Sequence, residues 1–137
     1  MIENRRTMQA RKESIKPGAV FVKERAFTPE DVRDFGRVSR DLGVHHVQPD
    51  AQGRVMLQGL LTATLATEIG GDLDFLAAEM LLRFLRPVFS GDLIRCEARI
   101  DSHSEDEKRI SLVIGVSMKN QNGKEVMQGT IRGVILK

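Results

Sequence analysis

Two stretches of the sequence carry residue types that can do chemistry together. Ser39-Arg40-Asp41-Leu42-Gly43-Val44-His45-His46 places a carboxylate and an imidazole five residues apart, at Asp41 and His46. On a continuous helix these two point in different directions, whereas a chain reversal at Gly43 brings both over one cavity. An Asp and a His that share a pocket can divide proton traffic. The carboxylate orients or deprotonates a water, and the imidazole gives or takes the second proton. The same pair also suits a plain polar cluster at a helix end. The second stretch, Gln58-Gly59-Leu60-Leu61, opens the most apolar run of the chain. In a helix starting there, the first-turn N–H groups lack intrahelical partners and have the helix dipole behind them. They can face a carbonyl oxygen that is gaining negative charge. Gly59 has no side chain to block a close approach by a ligand; equally, it lets the chain enter a crowded interior.

Other chemistries find little support. His45-His46 invites a metal, but adjacent residues seldom point at one ion, and Asp50, Asp72 and Asp74 read as ordinary loop acids; no metal site is expected. Cys96 is the single cysteine, which excludes an internal disulfide and a cysteine zinc site, and fits a reducing, cytoplasmic compartment. There is no G-x-G-x-x-G, P-loop, G-x-S-x-G or H-E-x-x-H pattern. Lys and Arg number 21 against 19 Asp and Glu, a net charge of +2, so no dedicated nucleic-acid surface is expected. With no Trp, no Tyr and 6 Phe, there is little material for base or sugar stacking.

The elements that must position Asp41, His46 and Gly59 follow from punctuation and periodicity. Met1–Lys16 carries Arg5, Arg6, Arg11, Lys12 and Lys16 against Glu3 and Glu13. It reads as a basic arm over residues 1–16, without the apolar segment of a signal peptide. That arm is either a solvated terminus or a contact for an anionic ligand or a neighbouring subunit. Residues 17–137 of the 137 read as one domain. Pro17-Gly18 makes a turn before a strand at Ala19–Phe27. Thr28-Pro29-Glu30-Asp31 opens a helix with an N-cap, a proline at the first helical position and capping-box spacing. Val32, Phe35, Val38 and Leu42 repeat at helical intervals, and Gly43 is placed to end that helix. Met56–Ile69 is apolar or small on nearly every side, the pattern of a helix wrapped by protein, and Gly70-Gly71 is placed to stop it. It is too short and too polar to span a bilayer. Four strands follow: Glu79–Phe89 with Pro87 near its end, Leu93–Ser102, Ile110–Met118 and Lys124–Leu136, the last two joined at Asn122-Gly123. Asp101–Glu107 reads as a charged hairpin connection. The fold class is α+β, an antiparallel sheet wrapped around one long buried helix.

With Asp41-x-x-x-x-His46, then Gly59 at the head of an apolar helix, then Pro87-Val88-x-x-Gly91-Asp92, the sequence resembles the MaoC-like dehydratases. That family includes the (R)-specific enoyl-CoA hydratases and has the hot-dog fold. The similarity runs from about Thr28 to Leu136. It implies Asp41 and His46 as the catalytic pair, Gly59 as the oxyanion-hole residue, and Gln58 and Leu60 beside the substrate; Pro87, Val88, Gly91 and Asp92 match a structural signature. Three positions depart from the pattern. Gly43-Val44 replaces Asn-Pro, Gln58 replaces a histidine, and the segment between His46 and Gln58 is short.

The resemblance implies reversible hydration of a trans-2-enoyl thioester to a 3-hydroxyacyl thioester, with CoA or an acyl carrier as part of the substrate and no cofactor. It implies a homodimer or larger homo-oligomer. Arg83, Arg86, Lys124 and the arm are basic candidates for the carrier's phosphates. The departures leave two other functions open: a non-catalytic acyl-CoA binder, and an acyl-CoA thioesterase in which Asp41 directs water at the thioester carbon. Thr62, Thr64 and Thr67 offer hydroxyls on the buried helix, or bond their own backbone.

Overall fold

In the computed structural model, residues 13–137 are described; the arm expected over 1–16 therefore lies mostly outside the described residues. Ile15, on the arm side of the expected boundary, is buried in the core. Strand β1 (Val20–Ala26) leads into helix α1 (Pro29–Ser39). The capping box forms: Thr28 Oγ1 accepts from Asp31 N at 3.1 Å, and Asp31 Oδ2 accepts from Thr28 N at 2.9 Å.

Helix α1 stops earlier than its apolar spacing suggests. Arg40, not Gly43, takes the left-handed conformation (φ 62°, ψ 18°), and its N–H donates to Gly36 O at 2.8 Å. Of the periodic residues Val32 is buried and Phe35 partly so, while Val38 and Leu42 face outward. Gly43 instead heads a single turn, α2 (Val44–Val47). The central helix α3 (Gly59–Asp72) begins three residues after Met56 and runs through Gly70-Gly71 rather than stopping at them. Leu61, Ala63, Leu65, Ala66 and Ile69 bury its several sides, as an apolar helix enclosed by protein requires.

Four strands complete the chain: β2 (Phe75–Phe84), β3 (Leu93–Glu105), β4 (Arg109–Lys119) and β5 (Glu125–Leu136). β2 starts four residues before Glu79 and ends before Pro87, which sits in the connection. β3 continues through Glu105, so most of the expected 101–107 connection is strand. The sheet is antiparallel, ordered β1-β3-β4-β5-β2. Alternation aims Ile94, Cys96, Ala98 and Ile100 of β3 and Ile110, Leu112, Ile114, Val116 and Met118 of β4 at the core. Gly129 and Gly133 let β2 close over β5: a Cβ at the first would strike the Leu81 carbonyl, and one at the second the Leu76 carbonyl. No helix among the described residues is long and apolar enough to cross a membrane.

Candidate active site

Between the C-terminal end of α1, α2, the head of α3 and the β2–β3 connection lies a cavity of about 620 Å³. Asp41, His46, Gln58, Gly59, Leu60 and Thr62 all line it. Because α1 ends at Arg40, Asp41 belongs to the connection rather than to the helix, and its N–H is held by Ser39 Oγ at 3.1 Å. The turn at α2 then swings His46 back, with His46 N donating to Gly43 O at 2.9 Å. Asp41 Oδ2 and His46 Nε2 come to 3.5 Å. A side chain at Gly43 would crowd His45 and only touch the converging pair. An added Cβ would lie 3.0 Å from His45 Cε1, 3.4 Å from His46 Cδ2 and 3.5 Å from Asp41 Oδ1.

The second ring nitrogen fixes the protonation pattern of His46. Nδ1 sits 2.7 Å from the carbonyl oxygen of Met56, and a carbonyl only accepts, so Nδ1 carries the hydrogen. In the neutral ring Nε2 is then a lone pair facing the Asp41 carboxylate. Two acceptors so close need a donor between or beside them, and one water satisfies both. His46 is buried, its side chain 7% exposed, whereas Asp41 is 51% exposed; the pair joins the interior to the open cavity. The short segment after His46 is held by its own hydrogen bonds. Asp50 Oδ1 accepts from Gln52 N and Arg54 N, each at 2.9 Å, and its Oδ2 from Arg54 Nε at 2.9 Å. These bonds, led by the Arg54 N–H, hold the Asp50 carboxyl below the usual carboxylate range. Two residues on, Met56 N donates to His45 O at 3.0 Å, tying the loop to α2.

At the head of α3, Gln58 O accepts from Leu61 N and Thr62 N, at 3.0 and 3.2 Å. The N–H groups of Gly59 and Leu60 have no acceptor among the described residues. Gly59 also serves packing. The Phe84 ring lies against it, and an added Cβ would come to 2.9 Å from Phe84 Cε1. Gln58 departs from an open substrate contact: it is 2% exposed, its Nε2 donates to Val32 O at 3.1 Å, and its Oε1 has no partner. Its bond ties the head of α3 to α1. Leu60 stands exposed at the mouth. Thr64 and Thr67 bond carbonyls of their own helix, at 2.5 and 2.8 Å, whereas the buried Thr62 lines the cavity with its hydroxyl unpartnered among the described residues. Sequence does not single out Thr62, since three threonines share the helix. Of the basic candidates, Arg86 lines the cavity and donates to Glu125 O at 2.6 Å; Arg83 and Lys124 do not line it. Among the described residues, no three His, Cys, Asp or Glu side chains gather as metal ligands.

A sequence model of the thioesterase superfamily matches residues 55–127, just over half of the chain. No curated protein matches it. Among solved structures, an (R)-hydratase from A. caviae involved in PHA biosynthesis is similar at 24% identity, covering 91% of this chain and 99% of that one, with a TM-score of 0.78. An unliganded R-hydratase from Pseudomonas aeruginosa is similar at 20% identity over 89% and 82% of the two chains, TM-score 0.76. A monoamine oxidase regulatory protein from Archaeoglobus fulgius is similar at 26% identity over 91% and 93%, TM-score 0.72. With these neighbours, the sheet curled around α3 is a hot-dog fold.

Proposed function

This chain belongs to the thioesterase superfamily, and from that premise we propose that it hydrates a trans-2-enoyl thioester, of CoA or of an acyl carrier, to the 3-hydroxyacyl thioester. One observation carries the reading. Asp41 Oδ2 and His46 Nε2, 3.5 Å apart with the His46 tautomer fixed by Met56, share a cavity wall with the free N–H of Gly59. A water held by both acceptors presents its oxygen to the β-carbon. As the C–O bond forms, Nε2 takes the proton, and Asp41 faces the resulting imidazolium. The C=C electrons move toward the thioester oxygen, whose developing charge meets the Gly59 N–H. Nε2–H then returns the proton to the α-carbon, so that the net change is addition of water across the double bond. The reaction in this form draws on no cofactor. A donor such as the Gly59 N–H is worth about 3 kcal/mol in comparable sites. In the same reading, β2 is the seam of a homodimer or larger homo-oligomer.

The superfamily match favours one second reading, hydrolysis of the thioester by the same water, directed at the carbonyl carbon. Crotonyl-CoA followed by absorbance and by thiol release separates the two. Hydration bleaches the conjugated absorbance and frees no thiol; hydrolysis frees thiol, also from saturated butanoyl-CoA. The protein contributes little background, because Cys96 is 0% exposed and burial pushes its thiol up to about 12. Asp41→Asn and His46→Ala are each expected to slow bleaching by about 10²-fold or more. Full activity in both variants removes the mechanism.

A further inference from the structure

The Asp41–His46 pair stands between two hollows. A second chamber, of about 300 Å³, shares only Asp41, His46 and Gln58 with the first and does not include Gly59. Val32, Leu42, Val47 and Val55 give it apolar walls, and α1 adds two arginines, Arg33 and Arg37, one turn apart on the same side of the helix. Arg37 spends part of its charge on Asp34, at 2.7 Å. Arg33 has no ion-pair partner among the described residues. The one carboxylate in the lining, Asp41, faces His46.

Substrate geometry connects the chamber to the reaction. With the thioester carbonyl at the Gly59 N–H and the β-carbon at the water on Asp41 and His46, the remaining acyl carbons leave the pair on the side away from Gly59. The second chamber borders the same two side chains and lacks Gly59. We propose that it receives the distal end of the acyl chain and selects one ending in an acid, so that the substrate class is a monothioester of a dicarboxylic acid. The inference rests on the acyl-thioester reading above. A plain alkyl tail would cover the valines and Leu42 but leave the arginines to solvent. A terminal carboxylate adds a charge-assisted, two-pronged hydrogen bond to a guanidinium.

Two inert thioether probes of equal length test it on the full chain by calorimetric titration: S-hexyl-CoA and S-(5-carboxypentyl)-CoA. Neither can be hydrated or hydrolysed, and the CoA contacts are common to both, so the ratio of affinities reports on the tail. The carboxylate probe is expected to bind about tenfold tighter, the scale of one charge-assisted bond. The ratio should shrink with added salt and fall to about one in Arg33→Gln, with a smaller loss in Arg37→Gln, since Arg37 is already paired. Arg33 is exposed on α1, so its replacement does not threaten folding. Equal or weaker binding of the carboxylate probe overturns the selectivity and leaves the acyl-thioester reading standing. A ratio that survives both substitutions overturns the arginines as its source. Binding of neither probe overturns the acyl-thioester reading and this inference with it.

Discussion

Thr62 follows Gly59 by three residues, so it lies one turn along the same face of α3 and lines the same cavity. Its hydroxyl has no protein partner among the described residues to lose, which separates a functional role from a structural one. Thr62→Val keeps the shape and the β-branch while removing the hydroxyl. If the hydroxyl meets the reacting atoms, kcat falls about three- to tenfold, the scale of one neutral hydrogen bond, with KM little changed. Thermal stability stays level or rises. An unchanged kcat in crotonyl-CoA hydration removes Thr62 from the site. Asp41 and His46 stand out in the sequence because an acid and an imidazole flank a glycine turn. Thr62 does not, because what distinguishes it from Thr64 and Thr67 is the absence of a bond, and only the packed helix shows which hydroxyls have bent back onto their own carbonyls.

The same difference separates the elements. The start of α1 is legible at Thr28-Pro29 because an N-cap is local chemistry. The alternation of β3 and β4 is legible because one face of each is buried. The end of α1 is not, since Gly43 is the residue chemistry would choose for a left-handed stop and Arg40 takes that conformation instead. Gly43 instead caps α2 with φ −51°, a backbone conformation open to other residues. β2 starts ahead of the periodic signal because only Phe75 and Leu82 of its residues pack on the core and the rest are exposed, leaving no inside–outside alternation to read. Arg40 is therefore a conformational compromise. Arg40→Gly removes the left-handed penalty and is expected to raise stability by about 1 kcal/mol, read as a higher Tm in thermal unfolding; a lower Tm shows that the arginine side chain stabilises the turn. Acid should act on the start of α1 and on the loop after α2. Asp31 is held below its ordinary pKa, chiefly by the Thr28 N–H, and Asp50 by the Arg54 N–H. A depressed folded-state pKa contributes stability that is present above the unfolded value, about 3.9, and is lost as pH falls through the folded one. Below pH about 4, unfolding is expected to become easier with each step of acid, and Asp31→Asn should flatten that slope. A slope unaltered in the variant removes the capping box as its source.

At the scale of the molecule, the sheet has two open edges, β1 and β2, and β2 carries the larger exposed apolar side chains. β2 pairs only with β5, and Leu76, Met80 and Leu81 stand exposed along it, Leu81 by 58%. An edge with free backbone groups and large apolar side chains is an aggregation hazard unless another chain covers it. Phe84, on β2 itself, and Leu60 and Leu85 line the first cavity and are exposed as well. In the proposed pairing, a second copy on β2 would also cover Phe84 at the cavity, and a drier cavity would strengthen the pull of the Gly59 N–H on a charged oxygen. The proposed pairing of two copies along β2 predicts a mass in solution of at least twice that of the chain, measured by light scattering. Because an edge-to-edge seam concentrates its apolar contact in few residues, Met80→Lys with Leu81→Lys should split it into monomers. Like charges then face each other across the seam. Hydration should fall along with assembly, although both positions lie outside the lining of the first cavity. A wild-type monomer at micromolar concentration overturns the pairing. A split, fully active monomer leaves the pairing intact but shows that one chain closes its own site.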